Sequence, residues 1–141
     1  MKEDFVTREI AVKLKEKGFK EGCFGYYLPG GDTLIFNYNQ WREGTYEDCL
    51  YSHNSLEEDV VGSDLIDVPT VSQALKWLRE EKKVYVFIDF YLNGNNERCW
   101  VYTIREMEDD STYVLPDGCK KCHSYEEASL AGIEYAIDNL I

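Results

Sequence analysis

The sequence predicts an α+β fold in two layers, with three helices on an antiparallel sheet of four to five strands. Helical periodicity occurs in three separate stretches, and period-two alternation flanks two turn sequences, PGGD and NGNN. The predicted elements follow one another as α-β-β-α-β-β(-β)-α. Because hairpins join neighbouring antiparallel strands, the sheet is expected to be antiparallel. The length of 141 residues suits one domain, and 1–141 is interpreted as a single α+β domain.

The first helix is predicted over residues 7–17. Thr7 has the position of an N-cap, where a side-chain oxygen accepts a hydrogen bond from a backbone N–H of the first turn. Gly18, directly after the helix, favours a left-handed backbone conformation that lets Phe19 fold back onto the helix. The predicted buried stripe of this helix consists of Ile10, Ala11 and Leu14.

Residues 23–39 predict a β-hairpin, because apolar residues alternate on both sides of PGGD. The following segment, 40–69, has no sustained period and is interpreted as irregular. Within it, the two alternatives are a short helix near 45–50 and an edge strand near 59–61. Connections of this length without regular structure are commonly functional, so 40–69 is also a candidate functional loop.

The centre of the chain predicts a helix that starts at Thr70 and runs into a strand over 84–92. Thr70 and Gln73 have the spacing of a capping box, and Pro69 disfavours helix in the residue before it. The strand has one apolar face for the core, and its opposite face carries aromatic residues and one aspartate. The apolar face consists of Val84, Val86, Ile88, Phe90 and Leu92.

The C-terminal part predicts a return strand over about 97–105, a short strand near 112–115 and a last helix. Ser124 and Glu127 have capping-box spacing at the start of this helix. Together the apolar stripes predict one core, formed by Leu75, Leu78, Val86, Ile88, Leu130, Ile133 and Ile137.

The net charge of −12 argues against direct nucleic-acid binding and against binding to anionic membranes. No apolar run approaches the length of a membrane span, and the N-terminal MKEDFVTREI lacks the apolar centre of a signal peptide. The five cysteines are an odd number. These observations predict a cytoplasmic protein with free thiols.

Three stretches give the chain a likeness to a known group: LKEKGF (14–19), QALKWLREEKKVYV (73–86) and SYEEASLAGIEYAI (124–137). Over nearly its whole length the chain resembles a family of short uncharacterised proteins from gut bacteria and from their phages and mobile elements. The matching stretches are helix caps and core stripes, so the resemblance carries over no functional residue. It implies a small α+β domain in an intracellular, phage or mobile-element context.

Cys119, Cys122 and His123 form the pattern C-x-x-C-H, which is the attachment signature of c-type haem. Haem attachment requires export, for which the sequence shows no signal. Structural zinc sites have four ligands, and a second matched pair is missing here, although Cys49 and His53 offer a completion. We therefore expect no metal and no cofactor, and a small zinc-binding protein that uses Cys119, Cys122 and His123 remains an alternative.

No arrangement typical of catalysis is present, so the chain is predicted not to be an enzyme. His53 lies four residues after Cys49 in the irregular segment, and no third residue is evident that would orient such a pair. His53 is therefore interpreted as a solvent-facing loop residue.

The predicted function is that of a non-enzymatic, acidic protein-binding or accessory protein, which binds another protein or a second copy of itself. The predicted binding surface is the outer face of the central strand, because helices in a two-layer domain cover only one sheet face. An acidic inhibitor that mimics nucleic acid is the other alternative. The firmest surface residues are Tyr85, Phe87, Asp89 and Tyr91. The hairpins are expected to add Tyr27, Phe36, Trp100 and Tyr102.

Overall fold

The computed structural model describes residues 4–37, 50–92, 94–108, 112–114 and 122–141, with 112–114 described as backbone only. The chain divides into two compact units, Met1–Thr70 and Val71–Ile141. Three helices and two antiparallel sheets establish the α+β class. Within the described ranges the strands form two separate sheets, where the sequence predicted one sheet of four to five strands. Segment 40–69, interpreted as irregular, supplies one strand, Ile66–Val68, to the first of these sheets.

In its described residues, the first unit contains one helix, α1 (Arg8–Glu16), and three short strands. These strands are β1 (Gly25–Tyr27), β2 (Ile35–Phe36) and β3 (Ile66–Val68), and they lie in the order β2-β1-β3. The β1–β2 pair confirms the predicted hairpin. The proposed edge strand near 59–61 is wrong, because the chain makes successive turns there and the strand begins only at Ile66. The proposed helix near 45–50 falls outside the described residues except for Leu50.

Helix α1 begins and ends as the sequence predicts. The Thr7 hydroxyl accepts a hydrogen bond from the backbone N–H of Ile10 at 3.3 Å. At the other end, Gly18 has a φ of +91°, and the backbone N–H of Phe19 donates to the carbonyl of Leu14 at 2.9 Å. This six-to-one bond defines the Schellman motif. It places the Phe19 ring in the core, where Phe19 and Leu14 are fully buried.

The second unit contains α2 (Val71–Glu81), β4 (Val84–Leu92), β5 (Arg98–Glu106), β6 (Thr112–Val114) and α3 (Tyr125–Asn139). Strands β4 and β5 pair along their whole lengths in an antiparallel hairpin, with Ile88 opposite Tyr102. The short strand β6 pairs with β5 on the other side, so the strand order is β4-β5-β6. All five elements agree with the sequence prediction to within a few residues.

The core of the second unit lies between the helices and one face of the β4–β5 hairpin. Of the predicted core residues, Leu78, Ile133 and Ile137 are buried. The others are half-buried: Leu75, Val86, Ile88 and Leu130. Helix α3 approaches the hairpin through its small residues, which the aliphatic stripe did not include. These buried small residues are Ala128, Ser129, Gly132 and Ala136.

Helix α2 also buries Trp77, which the sequence analysis did not place in the core. The Lys82 ammonium lies 5.2 Å from the centroid of the Trp77 indole ring, which is a cation–π distance. Among the described residues, no helix combines the length and the apolar character needed to cross a membrane.

Candidate functional site

The structure brings the four predicted surface residues together on one face of β4. Pairing across the hairpin sets Tyr85 opposite Arg105 and Tyr91 opposite Cys99, so these positions and the two between them share a face. The rings of Tyr85 and Phe87 lie 4.1 Å apart. Phe87 and Tyr91 are 43% and 44% exposed, and Asp89 between them is also exposed. On β4 the outer face is therefore aromatic and largely exposed, with Asp89 as its charged residue. On β5 the same face carries the exposed Arg105 and the buried Cys99.

The end of β4 is also exposed on the face where the sequence predicted core. Phe90 and Leu92 are 54% and 61% exposed, whereas Val84 at the start of the same face is 2% exposed. Gly132 of α3 lies against Val86 near the start of this face, and further along Tyr125 of α3 contacts Trp100 on β5, so the end of β4 itself stays uncovered. The assignment of Phe90 and Leu92 to the core was therefore wrong. The tip of the hairpin presents apolar side chains on both faces.

Trp100 and Tyr102 do not belong to the outer face. They lie opposite Phe90 and Ile88, so they share the face that the helices cover. Tyr102 is buried beneath α3, and the Trp100 ring makes an edge contact with Tyr125 of α3 at 5.8 Å. The register of the hairpin decides this placement, and the turn sequence NGNN alone did not fix that register.

The remaining two aromatic residues lie in the first unit. Tyr27 is buried, so it offers no binding surface. Phe36 is exposed and makes an edge contact with the Phe5 ring at 5.6 Å.

Strand β4 has an outer edge that pairs with no other described strand. The backbone N–H of Met107 donates to the carbonyl of Lys83 at 2.8 Å. Lys83 and Met107 lie opposite each other, so they form a hydrogen-bonded pair at the end of the β4–β5 ladder. Since bonded pairs alternate along an antiparallel ladder, the backbone groups of Val86, Ile88 and Phe90 point away from β5. The N–H of Phe90 donates to its neighbour, the Asp89 carboxylate, at 2.8 Å. This edge offers backbone donors and acceptors for another strand.

The cysteine pattern is only partly described, because Cys119 lies outside the described residues. Cys122 is buried, and its carbonyl accepts from the backbone N–H of Trp100 at 3.0 Å. His123 is exposed, and its backbone N–H donates to the Glu127 carboxylate at 2.9 Å. This geometry ties the segment to β5 and to the start of α3. Within the described ranges, no group of three or more histidine, cysteine or acidic side chains is placed to hold a metal ion.

A polar cluster in the first unit was missed by the sequence analysis. Asp67 in β3 is fully buried, and its carboxylate lies 2.8 Å from Nδ1 of His53 and accepts from the backbone N–H of Asn54 at 2.8 Å. The Asn54 amide in turn donates to the carbonyl of Phe19 at 3.0 Å. One sequence signal was available, since Asp67 is a lone charge among the apolar residues around β3. A charge in such a position requires partners when it is buried.

His53 is therefore not a solvent-facing loop residue. Its side chain is 12% exposed, and its ring lies between those of Tyr26 and Tyr51, at 4.9 and 4.6 Å. A carboxylate bound to Nδ1 also orients the histidine in catalytic dyads. Such a dyad needs a nucleophile or a bound water. Cys49, which the sequence analysis paired with His53, lies outside the described residues, and the described thiol of this region, Cys23, is unsuited to the role. Burial raises the pKa of Cys23 far above its usual range, and the negative charges of Asp67 and Glu21 raise it further.

The cluster is best described as structural. It attaches His53 and Asn54 to β3 through bonds that pair both carboxylate oxygens and the backbone N–H of Asp67. Every buried side-chain nitrogen and oxygen in the described part of the chain has a hydrogen-bond partner. Within the described residues, therefore, no unpaired side-chain polar atom points to a buried ligand.

Comparisons with protein-family models, with curated proteins and with solved structures gave no match to this chain.

Proposed function

We propose that this chain is a non-enzymatic protein-binding module and that the β4 edge, with the exposed tip of the hairpin, is its binding site. The observation that supports the proposal most is the exposure of Phe87, Phe90, Tyr91 and Leu92 at one end of one strand. Contiguous exposed apolar surface is uncommon on monomeric proteins and marks interaction sites. An enzyme would instead place its reactive groups in a cleft.

The ligand class that fits this site is an extended apolar segment of a protein, which adds a strand to β4. In this mode the backbone supplies hydrogen bonds and alternate side chains supply specificity. The outward backbone groups of Val86, Ile88 and Phe90 provide the hydrogen bonds. Side chains on both faces of the tip then flank the added strand, so apolar residues of the ligand are buried on either side.

Direct binding of nucleic acid is disfavoured by the net charge of −12. The only charged side chain on the outer face of β4 is Asp89, which is acidic as well. A protein ligand with basic residues beside its apolar segment would associate faster, since opposite charges steer the encounter.

Selection of extended peptides from a displayed random library tests the proposal. Peptides that bind should shift the amide resonances of Val86, Ile88 and Phe90 in the labelled protein. Phe90→Glu should weaken their binding about tenfold or more, a factor that corresponds to roughly 1.4 kcal/mol. Val61→Glu also replaces an exposed apolar residue by glutamate, but in the first unit, where the Val61 side chain is 97% exposed. It should leave the affinity unchanged.

Tyr91→Ala should also weaken peptide binding, because the Tyr91 ring lies on the outer face of the tip. Failure to select any binding peptide at a protein concentration where the chain is monomeric would contradict the proposal. Resonance shifts confined to the first unit would contradict it as well, and they would direct attention to residues 50–69.

A further inference from the structure

We propose that the strand that occupies the β4 edge is β4 of a second copy, so that the protein forms a symmetric dimer. The two strands run antiparallel around a two-fold axis at Ile88. This inference rests on the proposed function, since it names the partner of the same edge. It follows from the order of buried and exposed residues along β4, from the direction of the backbone groups and from the position of Asp89.

The exposure of the helix-side face changes steadily along β4. Val84 is buried, Val86 and Ile88 are half-buried, and Phe90 and Leu92 are exposed. A two-fold axis at Ile88 reverses this order in the second copy. Phe90 then lies opposite Val86 of the second copy, and Leu92 lies opposite its Val84. Each exposed apolar side chain thus gains a neighbour on the covered part of the other strand, and such cross-strand pairs stabilise a sheet.

The backbone fits this register. The backbone N–H and carbonyl groups of the even-numbered residues of β4 point outward. An axis at Ile88 places these residues opposite the even-numbered residues of the second copy, so the outward groups can form hydrogen bonds with one another. It also pairs β4 over its full length, Val84–Leu92, without an overhang. In the isolated chain the N–H of Phe90 donates to Asp89. In the dimer it donates to the carbonyl of Val86 in the second copy, and the Asp89 carboxylate turns to solvent.

The position of Asp89 selects between neighbouring registers. An axis at Asp89 would set two carboxylates directly opposite each other, and like charges in such pairs are destabilising. With the axis at Ile88, Asp89 lies opposite Phe87 of the second copy instead. The remaining electrostatic cost is the repulsion between two chains of net charge −12, and salt screens this repulsion. The dimer should therefore strengthen as the salt concentration rises.

Disulfide trapping tests the register directly. The Phe87→Cys and Asp89→Cys variants, carrying tags of different size, should form a mixed disulfide dimer when they are combined and oxidised. Facing residues of an antiparallel pair lie about 4.5–5.5 Å apart, which a disulfide can bridge. Each variant alone should give no more dimer than the wild type, whose native cysteines set the background. Cross-linking of Asp89→Cys with itself, or no mixed dimer, would overturn the proposed register.

Sedimentation equilibrium tests the assembly independently of any cysteine. The wild type should show a concentration-dependent dimer whose Kd falls with added salt. Phe90→Glu should raise this Kd about tenfold or more, and Val61→Glu should leave it unchanged. A wild type that stays monomeric at millimolar concentration would overturn the dimer. If library peptides still bound at the β4 edge in that case, the proposed function would stand and only this inference would fail.

Discussion

Gly132 of α3 lies so close to Val86 of β4 that a Cβ on Gly132 would come within 2.6 Å of Val86 Cγ1. The side chain of Tyr102 would be 3.2 Å from the same Cβ. Val86 is β-branched and stiff at χ1, so its methyl group has little freedom to move away. The contact explains why a glycine occupies the middle of a helix, where it is intrinsically unfavourable.

Gly132→Ala should therefore lower the free energy of unfolding by about 1–2 kcal/mol, which urea titration can measure. The higher helix propensity of alanine contributes about 1 kcal/mol in the opposite direction, and the overpacking outweighs it. Adding Val86→Ala should restore part of the loss, because it removes the methyl group that the new Cβ meets. A stabilising Gly132→Ala, or strictly additive effects of the two changes, would show that α3 does not approach β4 this closely.

Asp67→Asn should lower the free energy of unfolding by about 1–3 kcal/mol. The carboxylate faces two donors, Nδ1 of His53 and the backbone N–H of Asn54. An amide oxygen can accept from only one of them, so at least one charge-assisted hydrogen bond of the carboxylate is lost. Asp64→Asn is the matched control, because Asp64 is exposed and should change stability by less than about 0.5 kcal/mol. Equal effects of the two changes would contradict the buried cluster.

The Cys23 thiol should make stability depend on pH in the alkaline range. Burial, aided by Asp67 and Glu21, raises the pKa of Cys23, so the thiol stays protonated in the native protein. In the unfolded chain it loses its proton above about pH 8.5. The unfolded state is then favoured, and the stability that Cys23 contributes is lost as the pH rises, by up to about 1.4 kcal/mol per pH unit.

Urea titrations of the wild type and of Cys23→Ala between about pH 7.5 and 9.5 measure this effect, because other titrating groups cancel in the difference. The wild type should lose stability relative to Cys23→Ala as the pH rises. The native thiol should also resist alkylation at pH 8 and react once urea unfolds the protein. Rapid alkylation of native Cys23 would contradict its burial.

The protein purified without reducing agent or added metal should contain no stoichiometric zinc and no haem. One C-x-x-C pair offers too few ligands for a structural zinc site, and Cys122 belongs to the segment that ties β5 to the start of α3. Elemental analysis and absorption spectra measure both. About one zinc per chain, lost in Cys119→Ser, would instead support the metal-binding alternative.

The sequence determined the elements whose hydrogen bonds close within a few residues. The cap at Thr7, the left-handed Gly18 and the cap at Ser124 fix helix ends through bonds that span at most five residues. Alternation likewise assigned Tyr85, Phe87, Asp89 and Tyr91 to one face, because side chains of a strand point to opposite sides in turn.

The tertiary structure decided what depends on distant partners. Strand β3 forms because Gly25–Tyr27 lies beside it, and nothing local marks 66–68 as a strand. His53 is mostly covered, and Asp67, which lies 14 residues further along the chain, binds its ring. Phe90 and Leu92 are exposed because α3 covers Val86 on β4 and Trp100 on β5 but leaves the end of β4 itself uncovered. Periodicity encodes which face a side chain takes, whereas the extent of the covering layer depends on how the helices pack.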